Sequence, residues 1–217
     1  WSKNISIASD GFFGVEGRSI RNPYDINAER SVAGTDLTHM FNVNWTYAVP
    51  IGRGRTVDTG SNVLNYVLGN WQINGILTLN TGQPYTVNMN GDIANTGNQN
   101  GYMRPDAVGN PRLENASPAR WIDTSACARP AAFTVGSAGR NILRADGNNN
   151  IDLSLFRIFP LPFREGMAIE FRAEAFNAFN SPMYSEPVSN FSDTRFGTVI
   201  STANQARQFQ LGLKLLF

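Results

Sequence analysis

The sequence predicts an all-β fold, an antiparallel up-and-down meander of about six strands. Three observations carry this. Apolar and polar residues alternate at period 2 in several separate stretches, the final stretch keeps that alternation to the last residue, and long connections alternate with short ones. In a strand successive side chains point to opposite faces, so such alternation marks one apolar and one polar face.

Residues 1–8 read as the first strand. The clearest strand is 37–49, with Phe41, Val43, Trp45, Tyr47 and Val49 on one face and Asn42, Asn44, Thr46 and Ala48 on the other. Pro50-Ile51-Gly52-Arg53-Gly54 breaks it. A strand over 71–87 follows, with Trp71, Ile73, Gly75, Leu77 and Leu79 in phase and a kink or bulge at Gly82-Gln83-Pro84. Residues 88–149 are polar and Asn- and Gly-rich (Asn88, Asn90, Asn95, Asn98, Asn100, Gly101) and read as one long loop. Strands are expected over 150–159 and 167–178, joined by a short turn through Pro160, Pro162 and Gly166. The last strand is 206–217. Long connections near 9–36, 88–149 and 179–205 alternate with short links near 50–69 and 160–165.

Composition narrows the setting. Of 217 residues, 41% are apolar and 16% charged, below the roughly 25% charge of soluble domains. No run of about 18 apolar residues occurs, so no transmembrane helix is expected. Half-polar strands escape that test, because a membrane barrel turns one face to lipid and one to its lumen. The expectation is a partial transmembrane β-barrel with long extracellular loops and short periplasmic turns, since six strands fall short of the about eight in the smallest barrels. Opening at Trp1, without Met or a leader pattern, the chain reads as the C-terminal part of a longer barrel domain.

The closing strand carries the strongest signal. Phe209, Leu211, Leu213, Leu215 and Phe217 recur at every second position, with Gln208, Gln210, Gly212 and Lys214 in the other phase and Leu216 the only apolar intruder there. Gln210, Gly212, Leu215 and Phe217 resemble the signal read by the outer-membrane insertion machinery, which works by adding an edge strand through its backbone. By the same alternation Phe41, Val43, Trp45, Tyr47, Leu211 and Leu213 are expected to face lipid, and Asp152, Glu170, Arg172 and Glu174 the lumen. Asp152 is one candidate partner for the other three. Trp45, Tyr47, Trp71 and Tyr85 are candidates for interfacial aromatic girdles.

Chemistry is expected to be absent. His39 is the one histidine, too few for a triad or a histidine-rich metal site. Asp146, Asn148, Asn150 and Asp152 begin like a calcium loop, but Ile151 stands where the turn needs Gly and Arg157 where it needs Glu. Gly52-Arg53-Gly54-Arg55 lacks the Lys-Ser/Thr of a phosphate loop and reads as a basic turn. Cys127 has no second thiol to pair with. With a net charge of +1, no nucleic-acid partner is implied. No enzyme activity and no cofactor are expected.

Several segments together resemble the Oar-like TonB-dependent outer-membrane receptors, which carry a carboxypeptidase-regulatory-like N-terminal domain. They are Trp1-Ser2-Lys3; Asn22-Pro23-Tyr24-Asp25; Asp36 with His39 and Phe41; Gly69-Asn70-Trp71-Gln72-Ile73-Asn74-Gly75; Thr81-Gly82-Gln83-Pro84-Tyr85-Thr86; Gly139-Arg140-Asn141; Asn150-Ile151-Asp152; Phe171-Arg172-Ala173-Glu174-Ala175-Phe176-Asn177; and Phe196-Gly197. The resemblance spans nearly the whole chain. It implies a parent barrel of about 22 strands, a plug domain and a TonB-contacting segment upstream, and active uptake of a large or scarce nutrient. The partners it implies are outer-membrane lipid, the insertion machinery and the TonB complex, in the outer membrane of a Gram-negative-type bacterium. The rival readings are a soluble all-β carbohydrate-binding or adhesin-like module, and a passive porin.

Overall fold

Five strands make one antiparallel sheet: β1 (Met40–Ala48), β2 (Gln72–Asn80), β3 (Asn148–Pro160), β4 (Ala168–Phe176) and β5 (Gln208–Leu216). Their spatial order is their chain order, an up-and-down meander that is not closed into a barrel. This computed structural model describes residues 1–7, 21–22, 24–97, 103–164 and 166–217. Ala8, Pro23, Asn98, Asn100, Gly101 and Glu165, on which some of the sequence readings fall, lie outside the described residues. The chain forms two units. The sheet unit comprises Phe41–Leu79, Asn149–Pro182 and Gln205–Phe217; the loop unit comprises Trp1–Met40, Asn80–Asn148 and Met183–Asn204.

Register fixes the faces of the sheet. Leu155 pairs with Ala173 and that with Leu211; Arg157 pairs with Phe171 and that with Leu213; Phe159 pairs with Ile169 and that with Leu215. Paired residues share a face, so these form one row, apolar except for Arg157. The opposite row holds Ser154, Glu174 and Gln210; Phe156, Arg172 and Gly212; and Ile158, Glu170 and Lys214. β2 joins the same pattern. The Trp71 ring meets Phe159 and Phe171 edge-on at 6.0 and 5.7 Å, while Asn74 links Thr46 and Ser154 on the polar face by hydrogen bonds of 3.0 and 3.1 Å.

Gly75 shows how closely β1 and β2 fit. A Cβ there would fall 2.0 Å from the Trp45 indole. Gly75→Ala is therefore expected to destabilise the sheet by about 1–3 kcal/mol through overpacking, with Trp45→Leu in the same chain restoring most of it. Unfolding in denaturant checks both variants.

The links differ from expectation. The β1–β2 connection is not a bare turn: it contains the helix α1 (Asn62–Leu68). Ser61 caps it, accepting from the Leu64 amide, and Gly69 ends it. The β3–β4 link is tight, with the Leu161 amide on the Met167 carbonyl at 2.8 Å and Gly166 at φ 82°, a conformation that favours glycine.

In the loop unit the expected single loop over 88–149 is replaced by ordered pairs. Asp106–Ala107 pairs with Cys127–Ala128, Arg112–Ser117 with Arg120–Ile122, and Leu143–Arg144 with Pro84–Tyr85. They enclose a core of Tyr85, Val87, Ile122, Cys127 and Leu143. Residues 1–7, the described part of the expected 1–8 strand, do not join the large sheet: among them Ile5–Ser6 forms a ladder, against Ser31–Val32. The expected 71–87 strand likewise stops at Asn80, because Gly82 brings the backbone against the Ala145 carbonyl, where a Cβ would sit at 1.8 Å.

Candidate functional site

The polar row of the sheet gathers most of its charge on β4 and β5. Arg172 Nε donates to Glu170 Oε1 at 2.7 Å, and Glu170 lies opposite Lys214 and Glu174 opposite Gln210. The Arg172 guanidinium also lies 5.3 Å from the Phe156 ring centre. Asp152 does not join them. Its Oδ1 accepts from the Asn177 amide at 2.8 Å and from Asn150 Nδ2 at 3.0 Å, closing the corner after β4. So the partner of Arg172 is Glu170 along its own strand, and the expected role of Asp152 as a cross-strand partner is replaced by a turn-closing one. The exposed Arg172–Glu170 pair contributes little to stability; what it gives the face is hydration and charge.

The apolar row is open. Phe209, Leu211 and Leu213 are 72–76% exposed, and Phe41, Tyr47 and Leu215 are about half exposed. Trp45 is shielded by its seat over Gly75. Gln210 and Gly212 lie on the polar row and Leu215 on the apolar row, while Phe217 follows the last strand residue and is exposed. In water a row of this kind would be hidden in a core. Tyr85 departs from the girdle expectation: it is buried in the loop-unit core, in phase with Trp71 by number but beyond the end of β2.

Arg157 is the residue that sequence reading missed. It stands on the apolar row and is 2% exposed. Its Nη1 and Nη2 donate to the carbonyls of Val67 and Tyr66, at the last turn of α1. Phe159, Trp71 and Tyr66 surround the guanidinium, with ring centres 4.2, 5.5 and 5.8 Å away. The signal was present, since Arg157 continues the period-2 phase of Leu153 and Leu155 and so had to fall on the apolar side.

Two ionic centres hold the loop unit. Asp36 Oδ2 accepts from Arg144 Nη2 at 2.7 Å and Thr38 Oγ1 at 3.0 Å, and its Oδ1 from the Asn4 amide at 2.7 Å. Arg144 also donates to the Gly82 carbonyl at 2.9 Å. Glu29, 3% exposed, sits among three arginines. Arg104 donates to its Oε2, Arg21 Nε lies 3.7 Å from its Oε1, and Arg140 Nε donates to its backbone carbonyl at 3.0 Å. Glu29 is delivered by a short 3₁₀ turn, Ile26–Glu29, capped by Asp25. His39 contributes through its backbone, bonded both ways to Thr81. Cys127 is buried in the core, where burial and then the Asp123 charge push its thiol pKa up.

The Asp36 centre makes a pH prediction. Burial pushes its carboxyl up, but the hydrogen bonds from Arg144, Asn4 and Thr38 and the Arg144 charge outweigh that and hold it below the ordinary carboxylate value. A carboxyl lowered on folding stabilises above its unfolded pKa of about 3.9 and loses that contribution as pH falls through the folded value. Amide protection in the loop unit is therefore expected to drop below about pH 4. In Asp36→Asn that drop should shrink; an equally steep drop would assign it to other groups.

Among the described residues no three His, Cys, Asp or Glu side chains gather as metal ligands, and Asp146 Oδ2 is taken by the Tyr184 amide at 2.9 Å. No helix among them is long and apolar enough to cross a membrane. Comparison with curated proteins and with solved structures gives no match. The family model for an outer membrane beta barrel domain matches residues 1–210. Together with the antiparallel, two-faced sheet, that match shows that the chain belongs to the outer membrane β-barrel domain family, whose place is the outer membrane of a Gram-negative-type bacterium.

Proposed function

We propose that the five-stranded sheet is part of the wall of a TonB-dependent outer-membrane receptor that takes up a large or scarce nutrient. In this reading Phe41, Val43, Trp45, Tyr47, Leu211 and Leu213 face lipid, and Glu170, Arg172 and Glu174 face a hydrated lumen. The observation that carries the wall reading is the split of the sheet into an exposed apolar row and a charged row. A lipid-facing row needs no core, and charge on the other row costs little in water. The receptor reading adds to this the ordered set of segments resembling Oar-like receptors. The wall is completed by further strands, the plug and the TonB-contacting segment come from the parent chain, and no catalysis is involved.

The test is transport by the full-length protein. A TonB-dependent receptor gives uptake that stops when the proton-motive force is collapsed, and liposomes carrying it stay impermeable to small sugars. A passive porin instead makes those liposomes swell whether or not energy is supplied. A protein that stays monodisperse in buffer without detergent is neither, and would be a soluble binding module.

A further inference from the structure

α1 is built inside out for a helix in water. Its buried residue is Asn65, 8% exposed, while Val63, Leu64, Val67 and Leu68 are 46–71% exposed. Asn65 is buried because it fastens the preceding loop. Its Oδ1 accepts from the Thr59 amide and hydroxyl at 3.1 and 2.8 Å, and its Nδ2 donates to Asp58 at 2.6 Å. The other end of α1 is held by Arg157 on the Val67 and Tyr66 carbonyls, by Trp71 Nε1 on the Val67 carbonyl at 3.1 Å, and by Tyr66 Oη on the Pro160 carbonyl at 3.0 Å. Gly69 permits the turn against Gly52, for a Cβ there would meet the Asn65 carbonyl at 2.5 Å.

These contacts hold α1 to the apolar row of the sheet, at the end where both short links lie. Nearby chain adds the features of a membrane interface. The β3–β4 link exposes Phe163 (81%) beside exposed Arg164, and the segment before α1 exposes Arg53 and Arg55. Apolar side chains with arginines beside them suit the boundary between acyl chains and anionic headgroups. A seven-residue helix cannot span a bilayer, so its apolar side chains can only lie along one.

We propose that α1 is a membrane-surface helix that lies in the headgroup–acyl boundary of the phospholipid leaflet, with Arg157 as the positioning residue that fastens it to the barrel wall. This rests on the reading of the apolar row as lipid-facing. It makes α1 a lateral stop that sets the depth of the short-link end in the bilayer. Arg157 stands on the lipid side without facing lipid, because the helix carbonyls and three rings take the place of water around it.

The full-length protein, folded into phosphatidylethanolamine–phosphatidylglycerol vesicles, tests this with an environment-sensitive thiol label at Val63→Cys, Leu213→Cys or Ala119→Cys. The parent chain, whose Cys127 is buried, is the blank. Brominated phospholipids are expected to quench the Val63 and Leu213 labels at least about twofold more than the label at exposed Ala119. Arg157→Met is expected to lower quenching at Val63 by about half or more while leaving Leu213 unchanged, because it frees the last turn of α1 but keeps the row apolar. Quenching at Leu213 with Val63 open to aqueous iodide overturns the helix proposal and leaves the wall reading standing. A Val63 label shielded from both quenchers also overturns it, since protein then covers α1. Iodide access at both sites overturns the wall reading itself.

Discussion

Glu29→Ala is expected to cost the loop unit about 3–5 kcal/mol, the range for removing one partner from a buried ionic group. The reason is charge. The Glu29 carboxylate faces Arg21 and Arg104, each 7% exposed or less, so its loss takes the facing negative charge from two guanidiniums held out of water. Burial already pushes the Arg104 guanidinium pKa down, opposed chiefly by its hydrogen bond to Glu29 and the Glu29 charge. Glu29→Gln keeps an acceptor and should recover about 1 kcal/mol, no more, because the charge is still missing. Native-state hydrogen exchange reads the effect. The amides of Met89 and Ala138, bonded to the Met103 and Pro105 carbonyls, should exchange about 150- to 5,000-fold faster. Amides of the β4–β5 ladder should be unchanged. A loss below about 1 kcal/mol in Glu29→Ala would mean that the backbone carbonyls around the arginines suffice on their own.

Leu213→Arg is the second large effect expected, about 2–4 kcal/mol for a cation near the middle of the lipid face. Leu213 is at mid-strand on β5, 76% exposed and opposite Phe171. Its control is Gln210→Arg, three residues away on the other row and opposite Glu174. There the same cation meets a carboxylate and water, and the change should stay within about 1 kcal/mol. Unfolding free energies of the two variants in vesicles decide the matter. Equal losses would erase the distinction between the rows and with it the assignment of lipid and lumen.

The strands were legible because their signal is local. Period-2 alternation placed 150–159 within two residues of Asn148–Pro160 and 206–217 around Gln208–Leu216, and in each case phase alone identified the two faces. The start of the 37–49 strand was read three residues early, since Leu37 is in phase with Phe41 but precedes Met40, the first residue of β1. The loop unit was illegible for the opposite reason. Its order comes from contacts far apart in sequence, such as Arg140 Nη2 on the Ser6 carbonyl and Asn141 Nδ2 on that of Val32. Short ladders of two residues leave no periodicity to read. Thr86 and Asn141, both within segments that carried the family resemblance, turn out to bond each other at 2.8 Å. α1 was hidden because seven residues, five of them apolar or aromatic, have no polar face to betray a helix. Only Ser61 before it and Gly69 after it mark its ends.

Arg157 grips α1 by main-chain oxygens rather than by any side chain. A grip of that kind is indifferent to which aliphatic residues the helix carries. Exchanging Val63, Leu64, Val67 or Leu68 for another aliphatic residue is therefore expected to leave the helix in place, whereas replacing Asn65 or Gly69 breaks a fastening or a tight turn.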